Sequence, residues 1–233
     1  MKLTQNGNSF IINNKIPYKL THYISNEDTF KCTEFASNMT YGVGHHRADS
    51  WGNSIDRETK EIYSNALAGK IAEVATHNYL SSIYKEVSDI DYSILGYGEW
   101  DGSDLIADGI NFSVKSTSHF GNLLLLPVSE YDNEAKYIPN MGTDKPSQYD
   151  YHIFVRVCFN KNGKLNDPKK IFLEKVEDIK WECQVLGYVS STYFKEIIKD
   201  NQIIPKDSLL NGKIPIKVDN YYIQSGDMQK CYS

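Results

Sequence analysis

The dipeptide Asp108-Gly109 lies between two short runs of alternating apolar and polar residues, and it constrains the fold more than any other feature of the chain. Asp-Gly is favoured in two-residue type I′ turns because both central residues there need positive φ. A hairpin with this turn sets Asp104 directly across from Ser113 and places Lys115 two residues further along on the same face. One face of the predicted hairpin therefore offers a carboxylate, a hydroxyl and an amine.

The other face of this hairpin is apolar. Period-two alternation directs Leu105, Phe112 and Val114 away from the polar side chains, to a face that can pack on a helix. An ordinary exposed polar surface is the simplest interpretation of such a hairpin, and a functional site is the alternative. The preceding segment helps to decide between them.

A long helix is predicted before the hairpin, over about residues 57–84. Its apolar residues recur at helical spacing and form a core stripe of Ile62, Tyr63, Ala66, Leu67, Ile71, Val74, Ala75 and Leu80. Beside this stripe Lys70, Glu73 and His77 are three and four residues apart, so they share one face. A polar row at the edge of an apolar stripe is usually solvated, which is the first expectation for these side chains.

The remaining elements are predicted from apolar runs and turn residues. We expect a short hairpin or edge strand within residues 9–24, and a helix that follows an N-cap at Asn26 and carries Phe30, Phe35 and Met39 on its apolar stripe. A loop is predicted over 41–55 and another over 129–148. Strands are predicted at 151–159, 170–176, 183–189 and 214–223, and a helix at 190–200. This mixture favours an α/β or α+β domain.

Composition and charge are those of a single globular domain. The 233 residues carry 25 Lys and Arg against 30 Asp and Glu, and a net charge of −5 speaks against a protein that simply coats polyanions. The aromatic content of 12% argues against disorder. The longest apolar run, residues 123–128, is too short to span a membrane, and the polar start predicts a cytoplasmic protein. Four cysteines without C-x-x-C spacing are expected to be reduced thiols.

The order of a helix Glu in GKIAEVATHNYL, a strand Asp in GSDLIADG and the run V-K-S-T resembles the PD-(D/E)XK nuclease superfamily. The resemblance covers roughly residues 57–126. It implies the restriction-endonuclease-like α/β fold, with a mixed central sheet flanked by helices and, in this chain, an additional β-rich C-terminal part. It also implies a single endonuclease-like domain over 1–233, with a core at about 57–190 and elaborations at 1–56 and 190–233.

The resemblance assigns roles to individual residues. Asp104 matches the first motif acid, Lys115 the motif lysine and Glu73 the helix acid, so these three are the catalytic candidates. The implied metal ligands are Asp104, Glu73 and the backbone carbonyl of Val114. The implied cofactor is Mg²⁺, with Mn²⁺ as a substitute, because Mg²⁺ prefers hard oxygen ligands and retains several waters.

The chain departs from the family at Ser113, where the second motif acid should stand. Glu73 is expected to restore the missing carboxylate, either directly or through a water molecule. Asp101, one turn before Asp104, is the reserve acid. A serine at this position contributes no charge to a cation, so the departure bears directly on metal affinity.

A loop before the long helix is the candidate DNA contact. It contains His45, His46, Arg47 and Arg57, residue types that suit phosphate and base-edge contacts. His119, four residues after Lys115, is a further candidate phosphate contact. A charged loop that only contacts solvent is the simpler alternative. A zinc site at these histidines is a further alternative with less support, because no second histidine cluster follows at a diagnostic spacing.

These assignments predict a Mg²⁺-dependent deoxyribonuclease that hydrolyses phosphodiester bonds of double-stranded DNA as a sequence-specific, type II restriction-like homodimer. Two alternatives stay open. One is a non-catalytic DNA-binding protein that kept the fold after losing its acid. The other is a nuclease selective for junctions or flaps, which would use the same chemistry on a different substrate.

Overall fold

The computed structural model describes residues 1–41, 59–94, 104–173 and 179–231. Within these ranges the α-helices are α1 Asn26–Tyr41, α2 Thr59–Ser81 and α3 Ser191–Lys199. The strands are β1 Thr4–Asn6, β2 Ser9–Ile11, β3 His22–Tyr23, β4 Leu105–Ala107, β5 Ile110–Ser118, β6 Leu123–Pro127, β7 Tyr151–Lys161, β8 Lys164–Asn166, β9 Lys180–Ser190, β10 Ile203–Ile204, β11 Leu209–Leu210, β12 Ile214–Pro215, β13 Asn220–Gln224 and β14 Gln229–Lys230. The predicted mixed α/β class is confirmed.

A mixed central sheet organises the described part of the protein. Its strands lie in the order β14-β9-β7-β5-β4, with β3 beside β9 and β8 beside β7. The pairs β4–β5, β7–β9 and β9–β14 are antiparallel, whereas β5 and β7 run parallel. A parallel pair needs a crossover connection. Here the chain makes it through β6, which belongs to a second sheet.

Each face of the central sheet covers a separate apolar core. On one face, α2 packs against β4 and β5 while α1 packs against α2, and Leu67 of α2 shares this core with Leu105 and Phe112. On the other face, Phe154 of β7 packs with α3 and with a sheet of order β10-β13-β6. A third cluster joins that sheet to a small sheet of order β1-β2-β11-β12. In the described ranges, no helix has the length and apolar character of a membrane span.

The hairpin predicted around Asp108-Gly109 is confirmed. Both central residues have positive φ, 46° at Asp108 and 82° at Gly109, as a type I′ turn requires. Leu105 pairs with Phe112, which is the predicted register. Both side chains are buried in the core beneath α2, so the predicted apolar face of the hairpin is confirmed as well.

Helix α1 is capped one residue earlier than predicted. Ser25 Oγ accepts a hydrogen bond from the backbone N–H three residues later at 3.0 Å, so Ser25 is the N-cap, and the assignment of Asn26 was wrong. The helix buries Cys32 and Ala36. Phe30, which the sequence placed on the apolar stripe, is 69% exposed. The buried face of α1 is therefore narrower than the periodicity indicated.

Most of the other predicted helices and strands have counterparts in the structure. The strands predicted at 151–159 and 183–189 are confirmed as β7 and β9, and the helix predicted at 190–200 is α3. The helix predicted over 57–84 ends at Ser81. The strand predicted over 214–223 is divided into β12 and β13. The loop predicted over 41–55 lies outside the described residues, apart from Tyr41 at the end of α1.

The strand predicted over 170–176 is wrong within the described residues, which form a 3₁₀ helix at Pro168–Leu173. Asp167 causes this change, because its side chain and carbonyl accept hydrogen bonds from the backbone N–H groups of Lys169 and Lys170, both at 2.9 Å. Such a turn competes locally with the extended conformation. The hydrogen bonds to Asp167 therefore outweigh the strand preference of the apolar residues that follow it.

Arg156 on β7 joins three parts of the chain. Its side chain is 0% exposed. The guanidinium donates hydrogen bonds to Gly121 O at 2.6 Å, Ile16 O at 2.9 Å, Asn122 Oδ1 at 2.6 Å and Gln184 Oε1 at 3.0 Å. All four acceptors are uncharged. Burial lowers the pKa of Arg156 to about 10, so the side chain stays charged at neutral pH.

The N-terminal segment is held by residues far along the chain. Asn122 Oδ1 accepts hydrogen bonds from Ile16 N at 3.2 Å and from Ser225 Oγ at 2.8 Å. Gln224 Oε1 accepts from the backbone N–H of Asn14 at 3.0 Å. Strand β2 also runs parallel to β11. Residues near the two ends of the described chain thus form one continuous layer.

Replacing Arg156 with Lys is expected to lower the free energy of unfolding by about 3 kcal/mol or more. Lysine keeps the charge, but its three donors cannot serve four acceptors arranged for a planar fork, and buried acceptors without partners are destabilising. Urea unfolding followed by circular dichroism measures the change. Lys180→Met, at an exposed position on β9, is the control. Equal midpoints for the two variants would contradict this account.

Candidate functional site

Asp104 is anchored at the point where the chain enters β4. Its Oδ2 accepts a hydrogen bond from Val114 N at 2.5 Å. The N–H and C=O of one residue in a strand point to the same edge, so the Val114 carbonyl faces the edge of β5 that Asp104 occupies. A carboxylate and a backbone carbonyl, both predicted as metal ligands, therefore meet beside the hairpin.

Ser113 lies under this edge and pairs with His152 across the parallel strands β5 and β7. The two side chains are each 1% exposed. Within the described residues, Ser113 Oγ and His152 Nδ1 have no hydrogen-bond partner. Unsatisfied polar atoms of this kind are rare in buried positions and require an explanation.

Aromatic side chains surround the imidazole of His152. Its ring centroid lies 5.7 Å from that of Tyr131, 5.6 Å from that of Tyr149 and 5.4 Å from that of Phe194. Burial, and then the charge of Lys115, lower the pKa of His152 to about 3. The ring is therefore neutral at physiological pH, and one of its nitrogens carries a lone pair.

Lys115 lies on the same sheet face as these residues. It is half-buried on β5, two residues beyond Ser113. Ser113 and Lys115 therefore occupy one face of the sheet, as the sequence predicted, whereas Asp104 precedes β4 and contacts the backbone of β5 at its edge. His152 joins them from the neighbouring strand. No sequence pattern indicates His152, because its proximity to Ser113 depends on β7 returning beside β5 after the crossover.

The predicted helix acid, Glu73, is engaged by Lys70. Lys70 Nζ lies 2.7 Å from Glu73 Oε2 and also donates to Asp91 O at 2.7 Å. The ammonium group lies 4.4 Å from the ring centroid of Phe35 and 5.7 Å from that of Tyr92. Lys70 is only 4% exposed, so the prediction of a solvated polar row was wrong for this residue.

Glu73 and the hairpin residues belong to different faces of the central sheet. Helix α2 covers the face of Leu105 and Phe112, whereas alternation directs Ser113 and Lys115 to the opposite face. The structure therefore does not bring Glu73 to the sheet face that carries Ser113 and Lys115. The Glu73 carboxylate forms an ion pair with Lys70.

The donor set beside the hairpin fits a hydrated cation. In the described ranges, no group of three or more His, Cys, Asp or Glu side chains is placed to hold a metal ion. Mg²⁺ keeps several waters and needs only one or two protein carboxylates. Asp104 and the Val114 carbonyl meet this requirement, and the partnerless Ser113 Oγ adds a buried oxygen.

His119 lies in the turn after β5. Its ring centroid is 6.1 Å from that of Tyr18 and 5.1 Å from that of Phe120. Burial lowers the pKa of His119, so it offers a neutral ring rather than a charge to a phosphate. The other predicted DNA contacts, at positions 45–47 and 57, and the reserve acid Asp101 lie outside the described residues.

Comparisons with protein-family models, with curated proteins and with solved structures find no match for this chain. The interpretation of the site therefore depends on its own geometry.

Replacing Glu73 with Gln is expected to destabilise the protein by about 3 kcal/mol or more, because Lys70 would stay buried without its anionic partner. The double variant Lys70→Met/Glu73→Leu should recover most of this loss, since it removes both charges. Thermal and urea unfolding provide the measurement.

The exposed pair Glu27 and Lys31 on α1 is the matched control, because its 2.7 Å ion pair has the same length but lies in solvent. Glu27→Gln is expected to change stability very little. A Glu73→Gln effect no larger than that of Glu27→Gln would show that Lys70 does not need the pair.

Proposed function

We propose that this protein is a divalent-metal-dependent deoxyribonuclease with a restriction-endonuclease-like core. The observation that supports the proposal is the hydrogen bond from Val114 N to the Asp104 carboxylate at the edge of β5, the strand that also carries Lys115. This is the constellation that the PD-(D/E)XK resemblance implies. Double-stranded DNA as substrate and a homodimeric state are parts of the same proposal.

The residues of the chain have distinct tasks in this proposal. Asp104 and the Val114 carbonyl would hold Mg²⁺ or Mn²⁺ by oxygen atoms. The bound cation would neutralise charge on the phosphate and acidify a water molecule. Lys115 holds a phosphate oxygen, or orients the attacking water, as a point charge. The hydrogen bond from Val114 N to Oδ2 orients the Asp104 carboxylate.

A second candidate function is supported by specific observations. Serine stands where the family has an acid, and the helix acid Glu73 is paired with Lys70. The serine and the paired glutamate both reduce the negative charge that could hold a cation. A DNA-binding protein without nuclease activity would show the same two features. A junction- or flap-selective nuclease differs only in its substrate and is distinguished by the choice of DNA.

Replacing Asp104 with Asn, or Lys115 with Met, is expected to lower DNA cleavage by about 100-fold or more, which corresponds to roughly 3 kcal/mol of transition-state stabilisation. Supercoiled plasmid, linear duplex, junction and flap substrates are incubated with Mg²⁺ or Mn²⁺, with EDTA as the blank. Asp89→Asn, at an exposed position before β4, is the matched control.

Two results would contradict the nuclease proposal. One is cleavage by Asp104→Asn at the rate of the unsubstituted protein. The other is the absence of metal-dependent cleavage of every substrate by the unsubstituted protein. In the second case, retained DNA binding would favour the non-catalytic alternative.

DNA binding is expected to depend on Arg47 and Arg57. Replacing either with Ala should weaken binding and reduce the slope of log K against log salt by about one unit, because each arginine would neutralise one phosphate. Fluorescence anisotropy with a labelled duplex in EDTA measures the slope without cleavage. Lys164→Ala, at an exposed position on β8, serves as control. An unchanged slope would mean that these arginines are solvated.

A further inference from the structure

We propose that the surface formed by Lys15, Tyr18, Lys19, His119 and Phe120 binds single-stranded DNA, with a base stacked on the ring of Phe120. We call these five residues the basic-aromatic patch. Binding at this patch does not require the proposed metal site. The choice of DNA over another single-stranded nucleic acid rests on the proposed function.

Two segments that are distant in sequence form the basic-aromatic patch. Ile16 O and Gly121 O both accept hydrogen bonds from the guanidinium of Arg156, at 2.9 Å and 2.6 Å. The residues on either side of these two carbonyls are thereby held close together. The ring centroids of Tyr18 and His119 lie 6.1 Å apart in an edge-on contact. The two segments therefore form one surface at the end of β5.

Phe120 is exposed on a turn whose backbone is held by hydrogen bonds. It is 61% exposed, although phenylalanine is usually buried. Gly121 N donates to Ser118 O at 2.8 Å, and Asn122 Nδ2 donates to Phe120 O at 3.1 Å. The ring centroid of His119 lies 5.1 Å from that of Phe120. A ring supported in this way loses little conformational freedom when it contacts a ligand.

The two lysines of the patch are available to an anion. Both are exposed, and among the residues that the structure describes neither Lys15 nor Lys19 forms an ion pair. Beneath them, the charges of Arg156 and Asp167 act on His119 with opposite signs. The unpaired charges of the patch itself are therefore positive, which complements a phosphate backbone.

The combination of rings and lysines indicates a single strand rather than a duplex. Proteins that bind single strands without sequence preference stack the bases on aromatic side chains and place basic side chains along the backbone. In a duplex the base faces are stacked on one another and are not available to the ring of Phe120. An exposed aromatic ring beside unpaired lysines is therefore better suited to a single strand.

The basic-aromatic patch adjoins the candidate site. Lys115 is three residues before the end of β5 at Ser118, which is about 10 Å along the strand. His119 and Phe120 follow directly. Single-stranded DNA bound at the patch would therefore lie close to Lys115, as a junction- or flap-selective nuclease requires.

The contribution of Phe120 is tested with a fluorescein-labelled oligothymidylate and the full chain. Fluorescence anisotropy is measured in EDTA, so that binding is separated from cleavage. Phe120→Ala is expected to weaken binding by about tenfold, because one stacked base is lost. Phe30→Ala is the matched control and should leave binding unchanged, since Phe30 is 69% exposed on α1, outside the patch.

The lysines and the ring have separate measurements. Lys15→Ala and Lys19→Ala should each reduce the slope of log K against log salt by about 0.7, the value for one phosphate of a single strand. Lys85→Ala, at an exposed position after α2, should not change the slope. In Phe120→Trp, a stacked base should quench the added indole emission relative to the unsubstituted protein.

The outcomes separate this proposal from the nuclease proposal. Equal binding by Phe120→Ala and Phe30→Ala, or unquenched emission in Phe120→Trp, overturns the patch and leaves the nuclease standing. Binding of oligouridylate or of duplex DNA that is as tight as that of oligothymidylate, and as dependent on Phe120, overturns the assignment to single-stranded DNA. Binding that depends on Phe120, in a protein that cleaves no DNA, supports the patch and overturns the nuclease.

Discussion

The buried guanidinium of Arg156 holds the layers of the protein together. Its planar fork supplies several donors in fixed directions, and neutral oxygens from separate segments accept them. Two of these acceptors, Gly121 and Asn122, form the turn that leads the chain from β5 to β6. A Cβ at Gly121 would collide with the side chain of Thr117, so the turn packs closely against the end of β5.

Charged residues on the two sides of the central sheet lie in different environments. On the side of α2, Lys70 and Glu73 neutralise one another inside an aromatic enclosure, which stabilises the arrangement of α1 and α2. Lys115 is half-buried on the opposite face, and the half-buried Asp104 carboxylate accepts a hydrogen bond from Val114 N at the edge of β5. Charge on the α2 side is therefore compensated by an ion pair, whereas Asp104 is held by a backbone hydrogen bond.

The sequence patterns correctly predicted features formed by residues that are close together in the chain. The turn at Asp108-Gly109 determined the register of β4 and β5, and strand alternation put Ser113 and Lys115 on a common face. The burial of Lys70 was missed because it depends on Phe35 of α1 and on residues 91–92, which the helical pattern does not contain. His152 was missed for a similar reason. In sequence it is one polar residue in a strand, and only the crossover that brings β7 beside β5 makes it a neighbour of Ser113.

The parallel pairing of β2 with β11 has a consequence for biosynthesis. Ser9 leaves the ribosome long before its strand partner Leu209, and Asn14 leaves it long before Gln224, whose side chain accepts its hydrogen bond. Strand β2 therefore stays unpaired with β11, with Phe10 exposed, while the α2 core assembles from residues that are closer together in sequence. Closure of this layer is a late event in folding, and nascent chains that stall before residue 209 would present an unpaired, aggregation-prone edge to chaperones.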